Sequence, residues 1–231
     1  MCLEVINSAI YSRGLEGNSL IYLKDTLLEY VRHTYGTEAQ QEHDTSHVQN
    51  KLSQTLTYLF VFLYREQWPT FLDDFLGLTG LANNVQNSGG VVFYLRILSS
   101  VHDEIADMLL SRQNGEAKRN TELKDQLRIE DVPRVVESWK QLLVVYSDNN
   151  NILDLVLKTI AKWVSWIDIS LVVSQDMLNL LLPLLGRENS SNTEDRVRHS
   201  AIDTLTQICG KKMRAQDKMD MITFLSLRDM V

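Results

Sequence analysis

Three observations predict an all-α chain. Apolar residues recur at the three- and four-residue spacing of a helix face rather than in alternation. Ten Gly and three Pro in 231 residues are too few for the many tight turns of an all-β fold. Helix pairs, one member apolar and the other more polar, return at intervals of roughly 40 residues, the period of HEAT-type units. One such pair cannot bury its apolar side alone, so neighbouring pairs must stack. The expected architecture is therefore an α–α superhelix, a HEAT-repeat solenoid of about five to six helix pairs. It spans residues 1–231 with no separate second domain. A single compact helical bundle is the competing arrangement.

The first half reads as follows. Residues 1–12 (MCLEVINSAIYS) form a helix already under way, with Leu3, Ile6 and Ile10 on one face, so an upstream segment is expected. Gly14 and Gly17 break that helix. Asn18 or Ser19 is placed to cap the next one, which turns Leu20, Leu23, Leu27, Leu28 and Val31 inward and stops at Gly36. After the polar connection 37–46 comes a helix over 47–64, with Val48, Leu52, Leu56, Leu59, Phe60 and Leu63 as its stripe. Pro69 is read near the first position of a further helix, where its missing N–H costs nothing. Phe71, Leu72, Phe75, Leu76 and Leu78 form the buried side of that helix and Gly80 ends it. Residues 83–90, including Gly89 and Gly90, read as loop, and 91–110 as helix.

The second half opens on a charge-dense helix with a thin stripe of Leu123, Leu127 and Val132. Pro133 restarts the chain as a helix to about residue 146. A polar turn over 147–151 precedes the strongly apolar helix 152–166, and Asp168 and Ser170 mark the next boundary. A Leu-rich helix over 177–185 stops at Gly186. The loop 187–195 carries Thr193, placed to cap a helix to residue 210, and a last helix starts near 215.

The net charge of −7 is unevenly placed. Residues 1–110 hold 6 Lys/Arg against 13 Asp/Glu, whereas 111–231 hold 17 of each. A nucleic-acid binder is usually basic overall, so composition alone argues against one unless the second half gathers its cations on one surface. Cys2 and Cys209 belong to no CxxC or Cys/His cluster and read as buried thiols in a reducing compartment. No signal-peptide pattern and no bilayer-spanning apolar run is present, so a cytosolic or nuclear location without membrane insertion is expected.

Catalytic chemistry finds no support. His43 and His47 stand at i, i+4 with Asp44 between, but in a polar connection without further ligands, and a solvated loop is the better reading. Asp73–Asp74 and Asp103–Glu104 are adjacent acids that point apart on a helix, not opposed carboxylates. No phosphate-binding glycine motif or nucleophile elbow occurs. Trp139, Trp163 and Trp166 read as core. No enzyme, cofactor or metal site is expected.

The basic residues remain. Arg112, Lys118, Arg119, Lys124 and Arg128 lie on or near one helix, and Lys124 and Arg128 are neighbours one turn apart. Glu116, Glu122, Asp125, Glu130 and Asp131 are interleaved, so a salt-bridged solvated helix competes with a phosphate-binding face. A second group, Lys211, Lys212, Arg214 and Lys218, sits between the last two helices, where cations also answer helix dipoles.

Five runs in order carry a resemblance. They are Trp68-Pro69-Thr70-Phe71-Leu72-Asp73-Asp74-Phe75-Leu76, Tyr94-Leu95-Arg96-Ile97-Leu98, Ala117-Lys118-Arg119-Asn120-Thr121 with Lys124-Asp125, Val136-Glu137-Ser138-Trp139, and Val164-Ser165-Trp166-Ile167-Asp168-Ile169-Ser170-Leu171. With them the chain resembles the exportin-T family, the tRNA exportins of the importin-β superfamily. The resemblance implies a HEAT-repeat export receptor that binds tRNA together with the small GTPase Ran in its GTP form. It also implies passage through the nuclear pore on pore proteins and shuttling between nucleus and cytoplasm. The chain would be an N-terminal quarter whose first helix matches the second or third repeat. Lys118, Arg119, Lys124, Arg128, Lys211 and Lys212 are then the expected RNA contacts, and Glu66, Asp73 and Asp74 the expected Ran contacts. A HEAT scaffold that binds only proteins is the alternative, as is, more remotely, a helical-bundle enzyme.

Overall fold

Helices two apart in sequence pack most extensively on one another. The structure, a computed structural model, describes residues 2–12, 14–38, 44–107, 114–186 and 192–225. Among these are eleven α-helices and no strand: α1 (Cys2–Tyr11), α2 (Gly17–Tyr35), α3 (Ser46–Leu63), α4 (Phe71–Leu76), α5 (Ser88–Ile105), α6 (Asn114–Glu130), α7 (Val132–Val145), α8 (Asn150–Val164), α9 (Gln175–Leu185), α10 (Asn192–Gly210) and α11 (Ala215–Phe224). They fall into two compact units, residues 1–127 and 128–231.

In the first unit α1 lies on α3 and α3 on α5, while α2 and α4 pack against them. Hydrogen bonds and ion pairs tie the stacked helices at a nearly constant sequence separation. Asn7 Nδ2 donates to Gln54 at 3.3 Å, Lys51 pairs with Glu4 at 3.7 Å, and Thr57 Oγ1 donates to Ser100 at 2.9 Å. Arg96 also donates to Asn50. These separations run from 43 to 47 residues. In the second unit α8 lies on α10 and α7 against α9. There Ser200 donates to Asp154 at 2.6 Å, Thr204 to the Leu157 carbonyl at 3.0 Å and Arg196 to Asn151 at 2.7 Å, separated by 45 to 47 residues. The starts of α3 and α5, and those of α8 and α10, are each 42 residues apart. This is the same-layer stacking of a HEAT-type chain, the α–α superhelix class, within each unit.

The cores are aromatic. In the first unit Trp68, 1% exposed, meets Phe71 edge-on at 5.0 Å, and Phe71 lies 4.4 Å from Phe60. A buried indole N–H usually finds an acceptor, and for Trp68 Asp74 Oδ2 accepts it at 2.8 Å. In the second unit Trp139 meets Trp163 edge-on at 5.8 Å, and Trp163 lies 4.7 Å from Trp166. The three tryptophans are buried, as their helical spacing predicts.

Several boundaries differ from expectation for local reasons. α2 begins at Gly17, so Asn18 and Ser19 lie inside its first turn, and the N-cap residue Glu16 makes no side-chain cap. Pro69 precedes α4, whose N-cap is Thr70. Gly89 and Gly90 are not loop but the first turn of α5, because Asn87 caps that helix by accepting from the Gly90 N–H at 3.2 Å. The buried Asn87 amide also donates to the carbonyls of Tyr35 and Leu78 at 2.7 and 2.8 Å, binding three segments together. α5 ends at Ile105, and Leu110 lies outside the described residues. α10 begins at Asn192, which places Thr193 within it. Cys2 is exposed rather than buried, Cys209 is partly exposed, and neither is in a disulfide.

Gly90 is dictated by close approach: a Cβ there would lie 2.1 Å from the Leu78 carbonyl oxygen. Gly90→Ala is expected to destabilise the fold by more than about 2 kcal/mol, since that clash must displace either α5 or the Asn87 bridge. Chemical denaturation measures it, and a midpoint equal to wild type contradicts the packing described.

Candidate nucleic-acid and partner-protein surfaces

α6 is helical by propensity more than by burial, with Leu123 and Leu127 as its buried stripe. In the first unit Lys118 is exposed and Lys124 half-buried. The Arg119 guanidinium lies over the Phe62 ring at 5.5 Å and donates twice to Asn120 Oδ1 at 3.2 Å. The buried Asn120 in turn donates to the Glu104 carbonyl at 3.1 Å. Glu122, one of the interleaved acids, is paired with Arg65 at 2.6 Å. That engagement takes one acid out of competition for the α6 cations.

The second unit uses its cations differently. The last carbonyls of a helix have no intrahelical donors and carry partial negative charge. Lys211 Nζ donates to the Val164 carbonyl at the end of α8 and to the Ile167 carbonyl just beyond it. Arg128 Nε donates to the Trp166 carbonyl beside them at 2.8 Å, with its guanidinium 5.8 Å from the Trp166 ring. Lys218 Nζ repeats the device on α10, donating to the carbonyls of Cys209 and Lys211. Burial lowers the Lys211 pKa, the charge of Arg128 pushes it the same way, and Asp168 opposes both. Arg214 is paired with Asp217 through two hydrogen bonds at 2.8 and 3.0 Å. Lys212 is exposed. Arg112 lies outside the described residues.

Of the three acids, Glu66 and Asp73 are exposed. Asp74 is 11% exposed and accepts from Arg32 of α2 at 2.6 Å, from the Trp68 indole and from Thr70 at 3.0 Å. It holds α4 in place. The indole pairing follows the tendency of a buried tryptophan to find an acceptor.

Asp44 has a structural role too. It accepts from the hydroxyls of Tyr30 and Tyr35 at 2.9 and 2.7 Å. Burial raises the Tyr35 pKa and the hydrogen bond to Asp44 raises it further. His47 is exposed and His43 lies outside the described residues. Among the described residues no group of three His, Cys, Asp or Glu is placed to hold a metal, and no helix is long and apolar enough to cross a membrane.

The acceptors of Arg128 and Lys211 stand 38 to 47 residues away in sequence, so spacing rules could not identify them. Replacing Lys211 with Met is expected to lower stability by about 1–2 kcal/mol through loss of a charged cap. Lys212→Ala should stay within about 0.5 kcal/mol of wild type. Thermal denaturation compares the two, and equal effects would contradict the cap.

Comparison with known proteins adds ancestry. The family model described as exportin 1-like protein matches residues 45–205. The chain is 55% identical over 230 residues to exportin-T of Podospora anserina and 53% identical over 232 residues to exportin-T of Chaetomium globosum. It is 54% identical over 229 residues to exportin-T of Neurospora crassa. These matches cover 97–100% of this chain and 22% of each relative, so the chain spans about a fifth of their length. With a family match over most of its residues and that identity to its relatives, the chain belongs to the exportin 1-like family and is homologous to exportin-T along nearly its whole length.

Proposed function

We propose that the chain is part of a nuclear export receptor for tRNA. In this reading the receptor binds tRNA cooperatively with Ran in its GTP form, passes the nuclear pore by contact with pore proteins, and shuttles between nucleus and cytoplasm. The observation that carries it is the 53–55% identity to exportin-T over almost every residue. The receptor performs no bond chemistry of its own, and GTP hydrolysis on Ran gives the cycle its direction.

Within this chain the tRNA backbone is met by Lys118, Arg119 and Lys124 of α6 and by Lys212. Contacts to phosphate position an RNA without reading bases, which suits a receptor for many tRNAs. Arg128 and Lys211 contribute by holding the α8 carbonyl end, and their charge adds to the local field. Glu66 and Asp73 face Ran, with Asp74 behind them fixing α4.

The full-length receptor provides the test. Lys118→Ala with Lys124→Ala is expected to weaken tRNA binding in the presence of GTP-loaded Ran. It should also flatten the dependence of log affinity on log salt by roughly 1.5, the share of two phosphate contacts. Binding with an unchanged salt slope would remove α6 from the interface. No tRNA binding by the wild-type receptor, with or without Ran, would favour a scaffold that binds only proteins.

A further inference from the structure

We propose that Thr121 is a phosphorylation site for a basophilic serine/threonine kinase, and that its phosphate competes with RNA for Lys118 and Lys124. The competition rests on the RNA reading of α6; the modification itself does not.

Thr121 is the one Ser or Thr in the sequence with a cation at both the −3 and −2 positions, Lys118 and Arg119. Kinases that select basic substrates read that pattern through acidic pockets. Its side chain is exposed, and its hydroxyl donates only within its own helix, to the Ala117 carbonyl at 2.9 Å.

A kinase takes its substrate extended, so the start of α6 must open. Gly115, Ala117 and Lys118 are exposed there, and from Gly115 onward Asn120 is the first buried residue. Opening as far as Glu122 breaks the Asn120–Glu104 hydrogen bond, the Arg119–Phe62 contact and the exposed Arg65–Glu122 pair. Leu123 and Leu127 stay seated in the core. Local opening of a helix end requires far less than global unfolding.

The reaction is an ordinary phosphoryl transfer. Thr121 Oγ1 attacks the γ-phosphorus of ATP, the bond to the β-phosphate oxygen breaks, ADP leaves, and the hydroxyl proton passes to the kinase's carboxylate base. The product carries about two negative charges at neutral pH. Lys118 and Lys124 stand three residues to either side, within reach across the helix surface. An internal phosphate there forms charge-assisted hydrogen bonds with the two cations offered to tRNA. Asp125, one turn on, would gain a like-charged neighbour, which adds to the repulsion of an RNA backbone.

The experiment uses the full-length receptor, ATP and the catalytic subunit of a basophilic kinase. Peptide mass spectrometry locates phosphate, and tRNA binding with GTP-loaded Ran is then measured across a salt series. Phosphate at Thr121, about tenfold weaker binding at low salt and a flatter salt slope are expected. Thr121→Ala should resist modification there and bind tRNA after kinase treatment as the untreated wild type does. An unmodified Thr121 overturns the site. A phosphorylated Thr121 with unchanged tRNA affinity overturns the competition. If the unmodified receptor binds no tRNA, the RNA reading fails and the competition with it, while the mass readout still decides the site.

Discussion

Within each unit the main stacks join helices two places apart: α1 on α3 and α3 on α5 in the first, α7 on α9 and α8 on α10 in the second. A single amphipathic helix has no partner for its apolar stripe, and the nearest stable one is the equivalent helix of the next pair. Apolar burial supplies the driving force, at about 25 cal/mol per Å². The hydrogen bonds between stacked helices contribute about 1 kcal/mol each, too little to drive association but enough to set register. Several come from short, buried side chains, such as Thr57 on Ser100, Ser200 on Asp154 and Thr204 on the Leu157 carbonyl. A buried hydroxyl without its acceptor is costly, so a slip along the stack would orphan several at once.

Stacking also explains why charge near helix ends is hard to interpret. Every helix that ends against a neighbour leaves carbonyls needing donors. Lys211 and Lys218 answer those of α8 and α10, and Arg128 joins at Trp166. A cation there is structural first. On α6 the balance differs, because Lys118 is exposed and Thr121 beside it bonds only to its own helix. Similar residues in sequence thus serve register in one unit and face solvent in the other.

The helical class, a repeat of roughly 40 residues that the structure sets at 42, and the buried tryptophans were legible because each is a local periodic signal. So were Thr45, Asn149 and Ser174 as side-chain caps in retrospect, since each stands just before a helix and accepts from the N–H three residues on. Long-range acceptors were not legible. Nothing near Asp74 in sequence reveals Arg32, and nothing near Lys211 reveals Val164. Gly90 misled for a related reason. Paired glycines suggest a turn, yet the requirement was space for the Leu78 carbonyl, which only tertiary packing discloses.

Hydrogen exchange on the full-length protein tests the proposal that α6 presents cations of this chain to RNA. Amide exchange over residues 114–130 would be followed free, with GTP-loaded Ran, and with Ran and tRNA together. If α6 meets tRNA as proposed, exchange in its first two turns, around Lys118, slows only when tRNA is present. Exchange over those turns that is indifferent to tRNA in a complex known to contain it would contradict the account.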